Sequence, residues 1–246
     1  MKIPYVFIVF LAFIGAITLS ISLVFKKDQS NQLSQENQLS NANDTTKVYV
    51  ALGDSYTIGE GVKESERWPN LITSKINDTG SVTQLAANPS KTGFTTADVL
   101  KFELDILASY TPDVVTILIG INDYVQAVTV TEYERNYNEI IDQVSALAPQ
   151  AKIILVTTPD FGKAPAAQSF GDPEEISMGI EELNDIVKTI ADERNIAVAD
   201  VFAISQKAQS DRNYFVSDGV HPSAKQYIDW TDIIYPIFLE SINSPK

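Results

Sequence analysis

The chain contains no cysteine and a single histidine, His221. Without cysteine there are no disulfide staples, no thiolate nucleophile, no Cys-ligated zinc and no lipid attachment at a processed N-terminal cysteine. One imidazole is too few for a His-rich metal site, and the sequence has no Asp-x-Asp-x-Asp-Gly calcium loop. Basic residues are scarce as well: 18 Lys and Arg stand against 32 Asp and Glu, a net charge of −14. Charges within residues 1–46 balance, so the acid excess falls on residues 47–246. Such a surface does not track phosphates, which excludes nucleic acid as a partner and favours neutral or cationic ones. There is also no Gly-x-Ser-x-Gly, the nucleophile turn of the α/β-hydrolases.

What is present begins with an apolar run. Ile3 to Phe25 is 23 residues without a charge. As a helix it would extend roughly 34 Å, enough for a hydrocarbon core of about 30 Å. Residues 1–27 therefore read as a membrane anchor, with a cleaved signal segment as the competing reading. Lysines flank the run on both sides, so orientation is not fixed. Residues 28–46 are rich in Gln, Asn and Ser and read as a flexible tether. The expected placement is a membrane-anchored or secreted protein whose third segment, residues 47–246, works outside the cytoplasm.

That third segment alternates short apolar runs with amphipathic patterns. The expected strands are 47–52, 82–87, 113–119, 151–157 and 196–201. The expected helices are about 66–77, 95–109, 131–147, 174–194 and 223–241. Ile176, Ile180, Leu183, Val187 and Ile190 recur at helical spacing and form one stripe. This alternation predicts an α/β fold, a parallel sheet with helices on both faces. The irregular stretch 158–173, with its glycines and prolines, is expected to be a pocket wall or lid.

The chain is organised around Val48-Tyr49-Val50-Ala51-Leu52-Gly53-Asp54-Ser55, an apolar strand running into a turn that carries a serine. Open α/β sheets bind ligands at the carboxyl ends of their strands. Asn88 to Gly93 follows the second strand, and Gly120-Ile121-Asn122-Asp123 follows the third, so both belong to the same rim. Asp218-Gly219-Val220-His221 precedes the last helix. A serine hydroxyl is a weak nucleophile until a base takes its proton. His221 is the only imidazole available, and the group's unperturbed pKa of about 6.5 suits general-base work. Asp218 is placed to accept from its other ring nitrogen. The Ser55 and Gly93 N–H groups and the Asn122 amide are candidate donors to a developing oxyanion. Asp123 reads as structural, and Trp68 as a packing residue at a helix start.

Gly53-Asp54-Ser55, Gly93, Gly120-x-Asn122-Asp123 and Asp218-x-x-His221 together resemble the four sequence blocks of the GDSL-type, or SGNH, esterase and lipase family. The resemblance spans residues 47 to 241. It implies a flavodoxin-like three-layer α/β/α sandwich with a five-stranded parallel sheet. It further implies a serine hydrolase with Ser55 as nucleophile, an Asp218–His221 pair, Gly93 and Asn122 as oxyanion donors, and no metal or organic cofactor. The implied substrate is a small ester: an acyl lipid, an aryl ester or an acetylated glycan. An acyltransferase or thioesterase on the same residues is the alternative within the enzymes; an inactive carbohydrate- or surface-binding module is the alternative outside them. Tyr56 stands where many relatives carry a smaller residue and is expected to narrow the entrance. Oligomeric state has no signature in the sequence.

Overall fold

The computed structural model describes residues 46–243, within one compact unit that starts at Thr46. The anchor or signal segment 1–27 and nearly all of the tether 28–46 lie outside the described residues. Among the described residues, no helix is long and apolar enough to cross a membrane.

Five strands form one sheet: β1 Lys47–Gly53, β2 Thr83–Ala87, β3 Val114–Leu118, β4 Lys152–Val156 and β5 Ala197–Ala199. All neighbours pair in parallel, in the order β2-β1-β3-β4-β5. The order reverses at β1, so β1 and β3 flank the switch point at which doubly wound sheets open a crevice. β3 is buried at every position, as its nearly all-apolar run requires.

Side chains alternate across the pleat and build two cores. Tyr49, Ala51, Val114, Ile154 and Val156 face one side and meet Trp68, Ile72 and Ile76 of α2 (Trp68–Asn77). The same side takes Trp230, Ile234 and Phe238 of the last helix, α8 (Ala224–Asn243). Val50, Leu52, Val115, Ile117 and Leu155 face the other side. There they pack against residues 96–107 (α3), α5 (Val130–Leu147) and the stripe Leu183, Val187, Ile190 of α6 (Pro173–Arg194). The result is the three-layer sandwich expected of the family resemblance.

Three short helices fill out the rim: α1 (Ser55–Ile58), α4 (Ile121–Val125) and α7 (Phe202–Ser205). At four or five residues each, they are too short to show a helical period, and the sequence pattern does not announce them. The helix expected over 95–109 is not uniform. It opens at Thr96–Asp98, passes through a π-helical segment, Val99–Glu103, and closes at Leu104–Leu107.

Gly53 ends β1 with φ +156°, and a Cβ there would overlap both the Leu118 carbonyl oxygen and Thr57 Oγ1. The β1–α1 turn is thus pressed onto the end of β3, which only glycine allows. This explains the residue that precedes Asp54-Ser55.

Candidate active site

Four strand ends converge at one rim. Asp54 caps α1, with its carboxylate accepting from the Tyr56 N–H at 2.9 Å, and Ser55 is the first residue of that helix. From β2 comes the loop 88–95, in which Asn88 donates to the Thr57 carbonyl at 2.9 Å. From β3 comes α4, carrying Asn122. From β4 comes the stretch 158–173, folded into two 3₁₀ turns, Phe161–Lys163 and Ala167–Ser169. A cavity of about 180 Å³ lies between them. Ser55, Thr92, Gly93, Asn122 and His221 form its polar lining, and Ile121, Val125, Phe161, Phe170 and Val220 its apolar lining. The stretch 158–173 is therefore a wall of this cavity.

A larger depression, about 740 Å³, lies around the amino-terminal ends of β4 and β5, lined in part by Lys152, Ile196 and Ala197. It holds no histidine, since the only one lines the smaller cavity. Size does not make it the chemical site.

The histidine arrives on a self-braced loop. The Val216 N–H donates to the His221 carbonyl at 2.9 Å, and Phe215 bridges Pro222. Asp218 Oδ1 accepts from the N–H groups of Val220 (2.7 Å) and His221 (3.0 Å). Its Oδ2 lies 2.7 Å from His221 Nδ1. Burial alone would raise the Asp218 carboxyl; the bonds from the His221 ring and the two N–H groups outweigh it and hold the group below the usual carboxylate range. Asp218 thus stays ionised and fixes the ring with a proton on Nδ1, leaving Nε2 as the basic atom.

Nε2 faces the carboxylate of Glu60, 3.6 Å from Oε2. Among the described residues, no hydrogen bond joins Ser55 Oγ to His221; the two line the same cavity. Tyr56, expected to narrow the entrance, is among the residues lining the cavity. It is buried, its hydroxyl donates to the Val220 carbonyl at 3.2 Å, and its ring stands edge-on to His221 at 5.8 Å. It props the histidine loop from behind.

The candidate oxyanion donors are also placed. Gly93 has φ +84°, and no atom comes within 4 Å of the position of a Cβ there. Among the described residues, the N–H groups of Ser55 and Gly93 meet no acceptor. The Asn122 amide donates to the Phe94 carbonyl at 3.0 Å and, at a longer 3.3 Å, to Asp54 Oδ2. Asp123 is structural, as expected: it is buried and accepts from the Thr96 N–H and hydroxyl. Trp68 is likewise buried at the start of α2, its indole N–H bonded to the Tyr56 carbonyl at 3.1 Å.

Two residues beside the site are not among those expected from the sequence. Glu60 has no motif or periodic pattern to mark it. Glu103 is fully buried; its Oε2 accepts from the Gly53 N–H at 3.0 Å, and its Oε1 has no partner among the described residues. The available signal is its spacing: Val99, Glu103 and Leu107 fall four apart, which puts a carboxyl on an apolar face. Burial, and then the charges of Asp54 and Asp98, push Glu103 up to about 9 against the pull of the Gly53 bond. Burial and the Asp123 charge likewise push Asp54 up to about 7, despite bonds from Tyr56 and Asn122.

The fold and this arrangement define a doubly wound α/β protein with a serine, a histidine and an aspartate on one rim. Residues 51–227 match the model of the GDSL-like Lipase/Acylhydrolase family, and the chain belongs to that family. A multidomain esterase of Ruminococcus flavefaciens is 27% identical over 128 residues, half of this chain but only 15% of that protein. The lipase/acylhydrolase from Enterococcus faecalis has a similar fold, with a TM-score of 0.65 at 24% identity, over 78% of this chain and 95% of that one. A family 3 carbohydrate esterase of Clostridium thermocellum also has a TM-score of 0.65, at 18% identity, over 80% of this chain and 98% of that one.

Proposed function

We infer that the domain is a serine hydrolase that cleaves carboxylic esters through an acyl-enzyme on Ser55. One observation supports this most strongly. The chain's only histidine, oriented by Asp218, lines the same small cavity as Ser55, Gly93 and Asn122, the residues of the three candidate oxyanion donors.

In this reading His221 Nε2 takes the Ser55 proton as Oγ bonds to the ester carbonyl carbon. The carbonyl oxygen becomes an oxyanion that accepts from the N–H groups of Ser55 and Gly93 and from the Asn122 amide, which gives up its longer bond to Asp54. Collapse breaks the bond to the alcohol oxygen, which leaves with the proton held on Nε2. Water then attacks the acyl-enzyme, gives its proton to the same nitrogen, and releases the acid and the free serine.

The apolar wall of Ile121, Val125, Phe161, Phe170 and Val220 suits a hydrocarbon acyl group. The small cavity, about 180 Å³, favours a short acyl chain. The multidomain esterase, the acylhydrolase and the carbohydrate esterase to which the chain is similar support the ester reading. The test is a series of p-nitrophenyl esters on the purified domain. Acetate and butyrate esters are expected to be turned over to free acid, and dodecanoate at least about tenfold more slowly, the cost of a chain left in water. Equal rates along the series would contradict the pocket assignment.

A further inference from the structure

The catalytic cycle fixes where the leaving alcohol must lie. Its oxygen receives a proton from His221 Nε2, so it comes within about 3 Å of that atom. In this structure Nε2 already has a neighbour on that side, Glu60 Oε2 at 3.6 Å. Whatever is attached next to the ester oxygen therefore lies against the Glu60 carboxylate.

Glu60 is held for that position. Its N–H donates to the Ser55 carbonyl at 3.0 Å, which ties it to the nucleophile's own helical turn. Its flanking glycines are clamped: a Cβ at Gly59 would strike the Arg67 stem, and one at Gly61 would strike Val216 at 2.7 Å. Its Oε2 accepts from the hydroxyl of Thr92, which neighbours Gly93 in the cavity lining. Its other oxygen has no partner among the described residues, and 42% of the side chain is open to solvent. Glu60 thus offers an accessible acceptor beside the imidazole and next to Thr92 of the cavity's polar lining.

We propose that Glu60 selects esters whose alcohol carries a hydroxyl on the carbon adjacent to the ester-bearing carbon, as in partly acylated sugars and other polyols. This rests on the hydrolase reading above. A carboxylate is acceptor-only, so it rewards a neighbouring hydroxyl and gives nothing to a plain alkyl or aryl alcohol. The same charge, with Asp218 beside the ring, repels phosphate-bearing alcohols.

A matched pair of neutral esters tests this: 1-acetylglycerol, which has the adjacent hydroxyl, and propyl acetate, which lacks it. For the unmodified protein kcat/KM is expected to favour 1-acetylglycerol by about tenfold or more, the worth of one hydrogen bond to a charged group. In Glu60→Ala that ratio is expected to collapse to within about twofold of unity. A ratio near one in the unmodified protein, or the same ratio in Glu60→Ala, overturns the proposal while leaving ester hydrolysis in place. No turnover of either ester, together with no labelling of Ser55 by a fluorophosphonate, overturns both the proposal and the hydrolase reading.

Discussion

Replacing His221 by alanine is expected to lower kcat for a short ester by about six orders of magnitude, the cost of losing a triad base. The chain has no second imidazole to substitute for it. The fold is expected to survive, because His221 belongs to neither hydrophobic core and its loop is closed by main-chain bonds from Val216 and Ser223. The far-ultraviolet spectrum and thermal midpoint should therefore stay close to those of the unmodified protein. A Ser55→Ala, His221→Ala double variant should be no slower than either single variant, since the two groups act as a unit. A His221→Ala protein that keeps most of its rate would remove the histidine from the mechanism.

The second large effect is on stability and comes from Glu103. Its carboxyl titrates at about 9 in the folded chain, against an ordinary value of 4.5. Below pH 4.5 the group is protonated in both states, and its contribution to stability is complete. As pH rises from 4.5 towards 9 the unfolded chain releases this proton first, so folding loses stability across that window and levels off above it. Asp54, with a folded value of about 7, adds the same sign between 3.8 and 7. Glu103→Gln keeps an acceptor for the Gly53 N–H without a charge to bury. It is expected to match the unmodified protein near pH 4 and to exceed it by a few kcal/mol at about pH 9 in urea denaturation. Two stability curves that run parallel from about pH 4 to 9 would show that Glu103 is not held neutral.

Much of this architecture is legible in the residues, for physical reasons that differ by element. β3 and β4 announce themselves because strands covered on both faces are nearly all apolar. α6 does so because its whole stripe is buried, Ile176 and Ile180 in one core and Leu183, Val187 and Ile190 in the other. β5, expected over 196–201, is only Ala197–Ala199, since the backbone turns at Asp200, whose carboxylate accepts from the Phe202 N–H and the Thr157 hydroxyl. The π-helical segment at Val99–Glu103 leaves no mark in a hydrophobic pattern, because it moves hydrogen bonds rather than side-chain types. Ser55, Gly93 and Asn122 are legible through their residue types just past strand ends, and Asp218 and His221 as an aspartate three residues before the chain's one imidazole, ahead of the last helix. The structure brings Ser55, Gly93, Asn122 and His221 to one cavity and sets Asp218 on the imidazole behind it. Glu60 is not legible: an acidic residue in a polar loop of a chain with net charge −14 looks like any other surface carboxylate. Only its distance to His221 Nε2 sets it apart.

The most direct measurement is covalent. The purified domain is treated with a fluorophosphonate and digested, and the modified residue is located by mass spectrometry. If Ser55 is the nucleophile and His221 its base, one adduct forms, on Ser55; it is lost in Ser55→Ala and forms at a greatly reduced rate in His221→Ala. Labelling of a different serine, or Ser55 labelling that proceeds unchanged without His221, would contradict that pairing.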